Sequence, residues 1–308
     1  RLKHMAELRS IVKGTLLEHE PMAQHTSYGI GGPATAYITP RDRFDLAEIL
    51  KFAHEHTIPA YFVGSGSNLL VADDGIDGIV LSPAKSLKHL EINGGTVIAE
   101  SGVMLGRMVK ECIHQNLTGL ESLIGVPGTL GGALVMNAGA FDGEISNYLK
   151  SVDIMTMKGE VHTYTPGDID FAYRFSTFKK DEFILLARFE LQKEDPAVIQ
   201  EKRNKASTGR KTNQPLKFRS AGSVFKNPEE YAAGYLIDQA GLKGTRVGNA
   251  EISTHHANFF INHGGASASD ITALIRLARK TVFEKFGIGL ELEVKTIGFD
   301  PKDLAANG

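Results

Sequence analysis

Three glycine-rich segments, each set between short apolar runs, constrain the fold of this chain more than any other feature. They are YGIGGPA at 28–34, GSGSN at 64–68 and GVPGTLGGALVMNAGA at 125–140. Glycine supplies 33 of the 308 residues, above the average of roughly 7% for globular proteins. Because these glycines are clustered and do not form a repeat, they predict specialised loops, where the backbone is left-handed or approaches another group closely.

The segments around these loops alternate between strand and helix patterns. Strands are predicted at 34–38, 60–63, 78–82, 96–100, 153–157, 161–165, 182–191 and 290–298. Helices are predicted from Thr39 and Pro40 to a point before Pro59, and at about 104–115, 129–136, 194–206, 229–240 and 269–286, with a basic connection after 206. The irregular order of these elements predicts an α+β fold and not a regular βαβ series.

Composition and charge narrow the class of protein. The net charge is −2, with 34 Lys and Arg against 36 Asp and Glu, so no basic excess indicates a nucleic-acid or membrane partner. No apolar run approaches the ~18 residues of a membrane span and no signal-peptide core is present, so a cytoplasmic protein is expected, as a monomer. The residues RLKH before Met5 resemble a vector remnant and are left out of the fold prediction. The single cysteine, Cys112, is predicted to be a small buried residue and not a nucleophile.

The second and third glycine segments are candidate phosphate-binding loops. In GSGSN, adjacent glycines let successive backbone N–H groups point into one concavity, and the Ser65 and Ser67 hydroxyls add donors. A turn between strands is the alternative, and the segment is not a dinucleotide GxGxxG motif because it leads to another strand. In the third segment, Thr129, Gly131 and Gly132 are expected to open a short helix whose N-terminus attracts an anion, with small-residue packing as the alternative. Two such loops favour a long, flat ligand that carries phosphates.

These motifs resemble the UDP-N-acetylenolpyruvoylglucosamine reductase (MurB) family. YFVGSGSNLLV and GVPGTLGGALVMNAGA are similar to its flavin-binding half. The segments TSYGIGGPA, FAYRFSTFK, SAGSVFKNP, HHANFFIN and LELEVKTIGF also resemble family motifs in the family's order, from about Thr26 to Phe299. The resemblance implies FAD as cofactor, NADPH as reductant, UDP-N-acetylglucosamine enolpyruvate as substrate and a role in peptidoglycan synthesis. The short segment after FAYRFSTFK resembles the second family type, which lacks a tyrosine-bearing loop.

Three domains are predicted. Charge density rises at 192–214, which indicates a boundary near residue 200. The resemblance implies an FAD-binding region of the vanillyl-alcohol-oxidase (PCMH) type with two subdomains, at 5–82 and 83–200. An α+β substrate-binding domain at 201–308 follows.

The family's reaction requires particular side chains. Hydride addition beside a carboxylate develops negative charge at the α-carbon, so the site needs donors at the carboxylate and one proton donor. The resemblance assigns the first role to Arg174, proton donation to Ser223 rather than Ser220, and a hydrogen bond to the enolate to Glu293 if that group is protonated. Without the resemblance, Arg174 is a surface arginine, Ser223 a turn residue and Glu293 part of a solvated strand face. Lys226 is expected to support Ser223 if SVFKNP forms a turn.

The remaining site predictions concern the ligands. The predicted cofactor-binding residues are Gly64, Ser65, Gly66, Ser67, Asn68, Gly128, Thr129, Gly131, Gly132, Asn137, Ala138, Gly139 and Arg210. The predicted substrate-binding residues are Lys226, Asn227, His255 and Asn258. No metal site is expected, because adjacent histidines on a strand point to opposite faces. Two rival functions remain open: another FAD-dependent oxidoreductase of this fold acting on a small alcohol or sugar, and a non-enzymatic nucleotide-binding protein.

Overall fold

The computed structural model describes residues 3–141 and 143–306, so the first two residues of RLKH lie outside the described part. Within it, the α-helices are α1 (Met5–Ile11), α2 (Arg43–Glu55), α3 (Leu105–His114), α4 (Leu130–Met136), α5 (Pro196–Asn213), α6 (Ala233–Gln239) and α7 (Ala268–Phe286). Short 3₁₀ turns lie at Met22–His25, Glu121–Leu123, Ile145–Tyr148, Pro166–Asp168 and Pro301–Asp303. Among the described residues, no helix is both long and apolar enough to cross a lipid bilayer.

Many short strands accompany these helices. They are β1 (Thr15–Pro21), β2 (Pro33–Thr39), β3 (Ala60–Phe62), β4 (Leu69–Val71), β5 (Ile76–Leu81), β6 (Leu90–Asn93), β7 (Thr96–Glu100), β8 (Leu117–Thr118), β9 (Gly139–Ala140), β10 (Gly143–Glu144), β11 (Leu149–Thr156), β12 (Val161–Tyr164), β13 (Phe171–Ala172), β14 (Phe175–Ser176), β15 (Glu182–Glu190), β16 (Gln192–Lys193), β17 (Arg246–Val247), β18 (Ala250–Ile252), β19 (Phe260–Asn262) and β20 (Lys295–Ile297). Helices and strands mix without a regular βαβ order, which confirms the predicted α+β class.

The backbone divides into two compact units. Unit 1 comprises the chain up to Glu18, Ala36–Ser65 and Gly78–Arg210. Unit 2 comprises His19–Thr35, Gly66–Asp77 and the chain from Lys211 onward. The division after Arg210 falls inside α5, and unit 2 takes in two earlier segments. The three-domain scheme stays a prediction.

Unit 1 contains two hydrophobic cores. The first packs α2 on a sheet of order β1-β2-β5-β3, in which β3 and β5 are parallel. The second packs α3 and α4 against an antiparallel sheet of order β12-β11-β15-β7-β6. Cys112 is buried in the second core, and this burial raises the pKa of its thiol to about 12, so it is a neutral packing residue as predicted.

Unit 2 has its own core around α7. Its apolar face, with Ile271 and Ile275 among the fully buried residues, packs with the β17-β18-β19 sheet and α6. The helix begins at a capping box formed by Ser267 and Asp270, and ends at Gly287 in the left-handed region. These end signals confirm the predicted span of this helix to within a residue.

Four predicted boundaries were wrong. Helix α2 begins at Arg43, because the Asp42 side chain accepts the N–H of Asp45 and caps the helix. The basic connection after 206 is the last part of α5, and the helix predicted at 229–240 begins at Ala233. The predicted strand 290–298 is regular only at Lys295–Ile297, where it pairs in parallel with β4.

Candidate functional site

The start of α4 in unit 1 packs closely on the second glycine segment. Thr129 caps the helix, and its Oγ1 accepts the N–H of Gly132. A Cβ atom on Gly64 would lie 2.3 Å from Oγ1 of Thr129. The close approach therefore requires glycine at position 64, and the predicted short helix with Thr129 at its start is confirmed.

The backbone donors at this helix start are already used within the protein. Leu130 N–H donates to the Val103 carbonyl at 2.8 Å, and Gly131 N–H donates to the Ser101 carbonyl at 3.0 Å. Since these N–H groups and that of Gly132 have protein acceptors, the helix N-terminus does not offer them to an anion.

Two buried hydroxyl groups near the start of α4 are suited to a ligand. Among the described residues, neither the Ser65 nor the Ser101 hydroxyl oxygen has a hydrogen-bond partner. Ser101 is 1% exposed, and a Cβ on Gly131 would lie 3.2 Å from its Cβ. Buried hydroxyls normally have partners, so this pair fits a phosphate-bearing cofactor such as FAD. Ser101 was missed from the sequence, although the Ser-Gly pair directly after β7 was a usable signal.

The second part of GSGSN, residues 66–68, belongs to unit 2 and makes close contacts and hydrogen bonds with the backbone of that unit. Gly66 has a φ of +69°, and a Cβ there would lie 2.0 Å from the His25 carbonyl oxygen, so glycine is required. The Asn68 amide donates to the Glu293 carbonyl at 3.3 Å, and the Asn68 carbonyl accepts Lys295 N–H. Asn68 thus fixes the segment that carries Glu293.

Arg174 lies in the two-residue turn between β13 and β14 in unit 1. Its backbone φ is +50°, a left-handed conformation that residues other than glycine rarely adopt. Its guanidinium donates through Nη2 to the Gly139 carbonyl at 2.7 Å and lies 5.1 Å from the centre of the Tyr173 ring. A strained residue held by specific contacts is a frequent mark of a functional position.

A second guanidinium adjoins the same glycine-rich segment. Arg210, in the last turn of α5, packs on Gly125, where a Cβ would lie 3.1 Å from its Cδ. Burial, and then the charge of Arg174, lower the pKa of Arg210. The two guanidinium groups therefore lie close enough for their charges to interact.

In unit 2, the segment with Ser223 runs alongside the segment with Glu293. The Val224 carbonyl accepts the N–H groups of Glu293 and Val294, and Lys226 N–H donates to the Glu291 carbonyl. The chain bends at Val224 and pairs at Phe225 with Leu292 in an antiparallel bridge. Because Lys226 N–H bonds to Glu291, the turn expected to place Lys226 beside Ser223 does not form. Ser223 itself is half-buried.

Asn258 holds the same segment from the other side. Its Oδ1 accepts Phe225 N–H at 3.0 Å, its Nδ2 donates to the Phe225 carbonyl at 2.8 Å, and its own carbonyl accepts Val224 N–H. The residue is 2% exposed. We therefore propose that Asn258 positions the loop of Ser223, in place of the predicted direct contact with substrate.

The other predicted substrate residues, in unit 2, are Asn227, His255 and Lys226. Asn227 is exposed, and its Oδ1 accepts Ala233 N–H at 3.0 Å. His255 is also exposed and bonds through Nε2 to the Thr212 carbonyl at 2.8 Å. Both side chains border solvent, and the half-buried Lys226 follows Phe225 in the same segment. Direct contact of these three with substrate stays a prediction.

His256 should make the stability of the protein depend on pH. Its Nδ1 accepts Asn258 N–H at 3.2 Å, and burial, followed by the charges of Lys243 and His255, lowers its pKa from 6.5. As the pH falls below 6.5, His256 binds a proton more readily in the unfolded chain than in the folded chain. The free energy of unfolding should therefore fall as the pH falls.

A pair of variants isolates this effect. Urea unfolding of His256→Asn across mildly acid pH should show a weaker loss of stability than the unchanged protein, because the titrating ring is gone. The exposed His54→Asn serves as control and should follow the unchanged protein. Parallel curves for all three proteins would contradict the assignment.

Comparisons with known proteins agree with these motifs. Residues 34–165 match the FAD binding domain family, and residues 214–297 match the C-terminal domain of UDP-N-acetylenolpyruvoylglucosamine reductase. The UDP-N-acetylenolpyruvoylglucosamine reductase of Exiguobacterium sibiricum is 44% identical over 289 residues, which cover 94% of this chain and 95% of that protein. The Clostridioides difficile reductase of the same name is 42% identical over 294 residues, covering 95% and 97%.

A solved structure is also similar. The UDP-N-acetylenolpyruvylglucosamine reductase (MurB) of Thermus caldophilus aligns with a TM-score of 0.80 at 35% identity, covering 92% of this chain and 98% of that chain. These matches confirm the predicted FAD-binding α+β fold and the predicted flavin-dependent reductase activity. The chain therefore belongs to the UDP-N-acetylenolpyruvoylglucosamine reductase family.

Proposed function

We propose that this protein reduces the enolpyruvyl group of UDP-N-acetylglucosamine enolpyruvate to give UDP-N-acetylmuramate for peptidoglycan synthesis. Family membership supports FAD as the cofactor and NADPH as the reductant. It leaves no reason to prefer a non-enzymatic nucleotide binder or an oxidase of small alcohols. A monomeric state and a cytoplasmic location stay predictions.

The Arg174 turn is the observation that carries this proposal. Arg174 has a left-handed backbone, and its guanidinium donates a hydrogen bond to the Gly139 carbonyl. It lies close enough to Arg210 for their charges to interact. We assign Arg174 to the substrate carboxylate, because its charge is permanent and its planar fork matches two oxygens. Charge that develops beside the carboxylate during reduction is then stabilised by a donor already in place.

FAD fits the residues at the start of α4. The hydroxyls of Ser65 and Ser101 would hold its phosphates, beside the close contact of Gly64 with Thr129. When bound, FAD supplies the hydride that NADPH delivers to it. Arg210, on Gly125, would balance the charge of the cofactor or substrate phosphates.

The proton donor is assigned to Ser223 in unit 2. Asn258, Val224 and Phe225 fix its backbone, so the hydroxyl can be held at one point while the α-carbon accepts a proton. The adjoining Glu293 segment, fixed by Asn68, would supply a hydrogen bond to the enolate if the carboxyl is protonated. Each role is that implied by the family motif.

Substrate-dependent turnover tests the function. We expect a yellow protein that oxidises NADPH rapidly only when UDP-N-acetylglucosamine enolpyruvate is present, with UDP-N-acetylmuramate as the product by mass spectrometry. UDP-N-acetylglucosamine, which has no enolpyruvyl double bond, is the matched control. Equal rates of NADPH oxidation with the two nucleotides would contradict the proposal.

Gly64→Ala should weaken flavin binding. The added methyl would lie 2.3 Å from Thr129 Oγ1, so α4 or the glycine loop must move. Overpacking of this kind costs about 1–3 kcal/mol, and if that whole cost falls on the flavin complex the flavin dissociation constant should rise about 5- to 150-fold. Flavin fluorescence during titration of the apoprotein measures it.

Gly106→Ala in α3 is the control. Apart from its chain neighbours and the backbone of its own helix, no atom lies within 4 Å of a Cβ at this position. Flavin should bind this variant as it binds the unchanged protein. If Gly64→Ala binds flavin equally well, the close contact does not shape the cofactor site.

A further inference from the structure

Asn137 is a fully buried amide at the end of α4 in unit 1. It is 0% exposed and follows the last helical residue with a φ of +49°. Asparagine tolerates this left-handed conformation better than most residues, yet burying its amide is costly unless both polar atoms are bonded. The sequence placed Asn137 among the cofactor contacts, but burial directs its side chain into the protein.

Both ends of the Asn137 amide have protein partners. Its Nδ2 donates to the Ala172 carbonyl at 2.9 Å, and its Oδ1 accepts Ser146 N–H at 3.3 Å. Ala172 is the last residue of β13, two positions before Arg174. The amide thus joins the end of α4 directly to the strand that leads into the arginine turn.

Two further bonds tie the same turn to the same part of the chain. The Ser176 hydroxyl, after the turn, donates to the Val135 carbonyl in α4. The Arg174 guanidinium donates to Gly139, two residues beyond Asn137. Of these three ties, the Asn137 bond is the one at the entry to the turn, where it opposes relaxation of the left-handed Arg174 backbone.

We propose that Asn137 is a positioning residue, which sets the Arg174 guanidinium by fixing the entry to its turn. The inference rests on the proposed role of Arg174. The amide donates to Ala172 and accepts from Ser146 at once, which an ionised carboxylate cannot do because it only accepts. An aspartate keeps the shape but turns an oxygen toward the Ala172 carbonyl, so the entry to the turn should be released.

Asn137→Asp should affect one half-reaction. Misplacement of a catalytic group by about 1 Å can cost 10²-fold, so we expect reoxidation of the reduced flavin by the enolpyruvyl substrate to slow by about 10- to 100-fold. Reduction of the flavin by NADPH should be largely unchanged. Asn116→Asp is the matched control, since Asn116 is also left-handed after a helix but is exposed. Asn137→Gly, which keeps the backbone and removes both bonds, replaces the aspartate variant if that one does not fold.

A double-mutant cycle separates positioning from general stability. If Asn137 acts through Arg174, then Asn137→Asp should slow substrate reduction by less than about threefold when Arg174 is already lysine, because effects at coupled sites are not additive. A purely structural role would give the full loss in both backgrounds. Full additivity, or equal loss of both half-reactions, overturns the inference.

Hydrogen exchange tests the inference without relying on activity. Backbone amides at 171–176 should exchange faster in Asn137→Asp than in the unchanged protein, while Asn116→Asp should leave them unchanged. If the unchanged protein does not reduce the enolpyruvyl substrate, the proposed function fails, and the exchange at 171–176 still decides the role of Asn137. Unaltered exchange there in Asn137→Asp overturns it.

Discussion

Ser223→Ala is expected to slow reduction of the enolpyruvyl substrate by ~100- to 10,000-fold, the range typical for loss of a general acid. Reduction of the flavin by NADPH should be largely unchanged, because the proton is needed only when the substrate is reduced. The loop should keep its shape, since Val224 and Phe225 are buried and Asn258 holds the backbone. Anaerobic stopped-flow absorbance measures the two half-reactions separately.

Ser220→Ala provides the matched control. It deletes the same kind of hydroxyl three residues earlier, where the Ser220 Oγ accepts a long bond from Gly222 N–H at 3.3 Å. Substrate reduction in this variant should stay close to that of the unchanged protein. Equal loss of both half-reactions in Ser223→Ala would show a structural role for Ser223.

Arg174→Met should produce the second large effect. Removal of one preorganised donor from a developing negative charge costs about 10²- to 10³-fold, and we expect that loss in the rate of substrate reduction. Arg174→Lys should recover part of it, because lysine keeps the charge but lacks the planar fork. Single-turnover reoxidation of the reduced protein measures both.

Arg107→Met is the control for loss of an arginine in general. Arg107 is exposed and, like Arg174, donates to a backbone carbonyl, here that of Lys88 at 2.7 Å. Its variant should reduce substrate normally. Identical rates for Arg174→Met and Arg107→Met would remove Arg174 from the mechanism.

Elements with local end signals were predictable from the sequence. Helix α7 carries its cap at Ser267 and its stop at Gly287, and both signals are chemical properties of single residues. At α2 two local signals competed, and the carboxylate cap at Asp42 determined the start in place of Pro40. The family motifs also identified Arg174, which the structure places in a strained turn.

Features that depend on distant partners were not predictable. The segment after 206 was predicted to be a basic connection, yet α5 continues through it to Asn213. Gly209 in this part of the helix lies against the Phe141 ring, which would be 2.6 Å from a Cβ there. The segment 290–294 has an alternating strand pattern, but its bonds go to the loop of Ser223. No local pattern specifies such long-range partners.

The same difference between local signals and long-range partners applies to the site residues. The sequence indicated that Asn137 and Asn258 belong to the site, but it placed both among the ligand contacts. Their buried amides bond to Ala172 and Phe225, far away in sequence. The family motifs identified both residues, and the structure adds the protein partners of their amides. Their direct contact with a ligand stays a prediction.

One anaerobic experiment tests the central claim most directly. The purified protein is reduced with one equivalent of NADPH and then mixed with UDP-N-acetylglucosamine enolpyruvate. We predict that NADPH removes the visible flavin absorbance and that this substrate restores it in a single turnover, whereas UDP-N-acetylglucosamine does not. A flavin that stays reduced after mixing with the enolpyruvyl substrate would contradict the account.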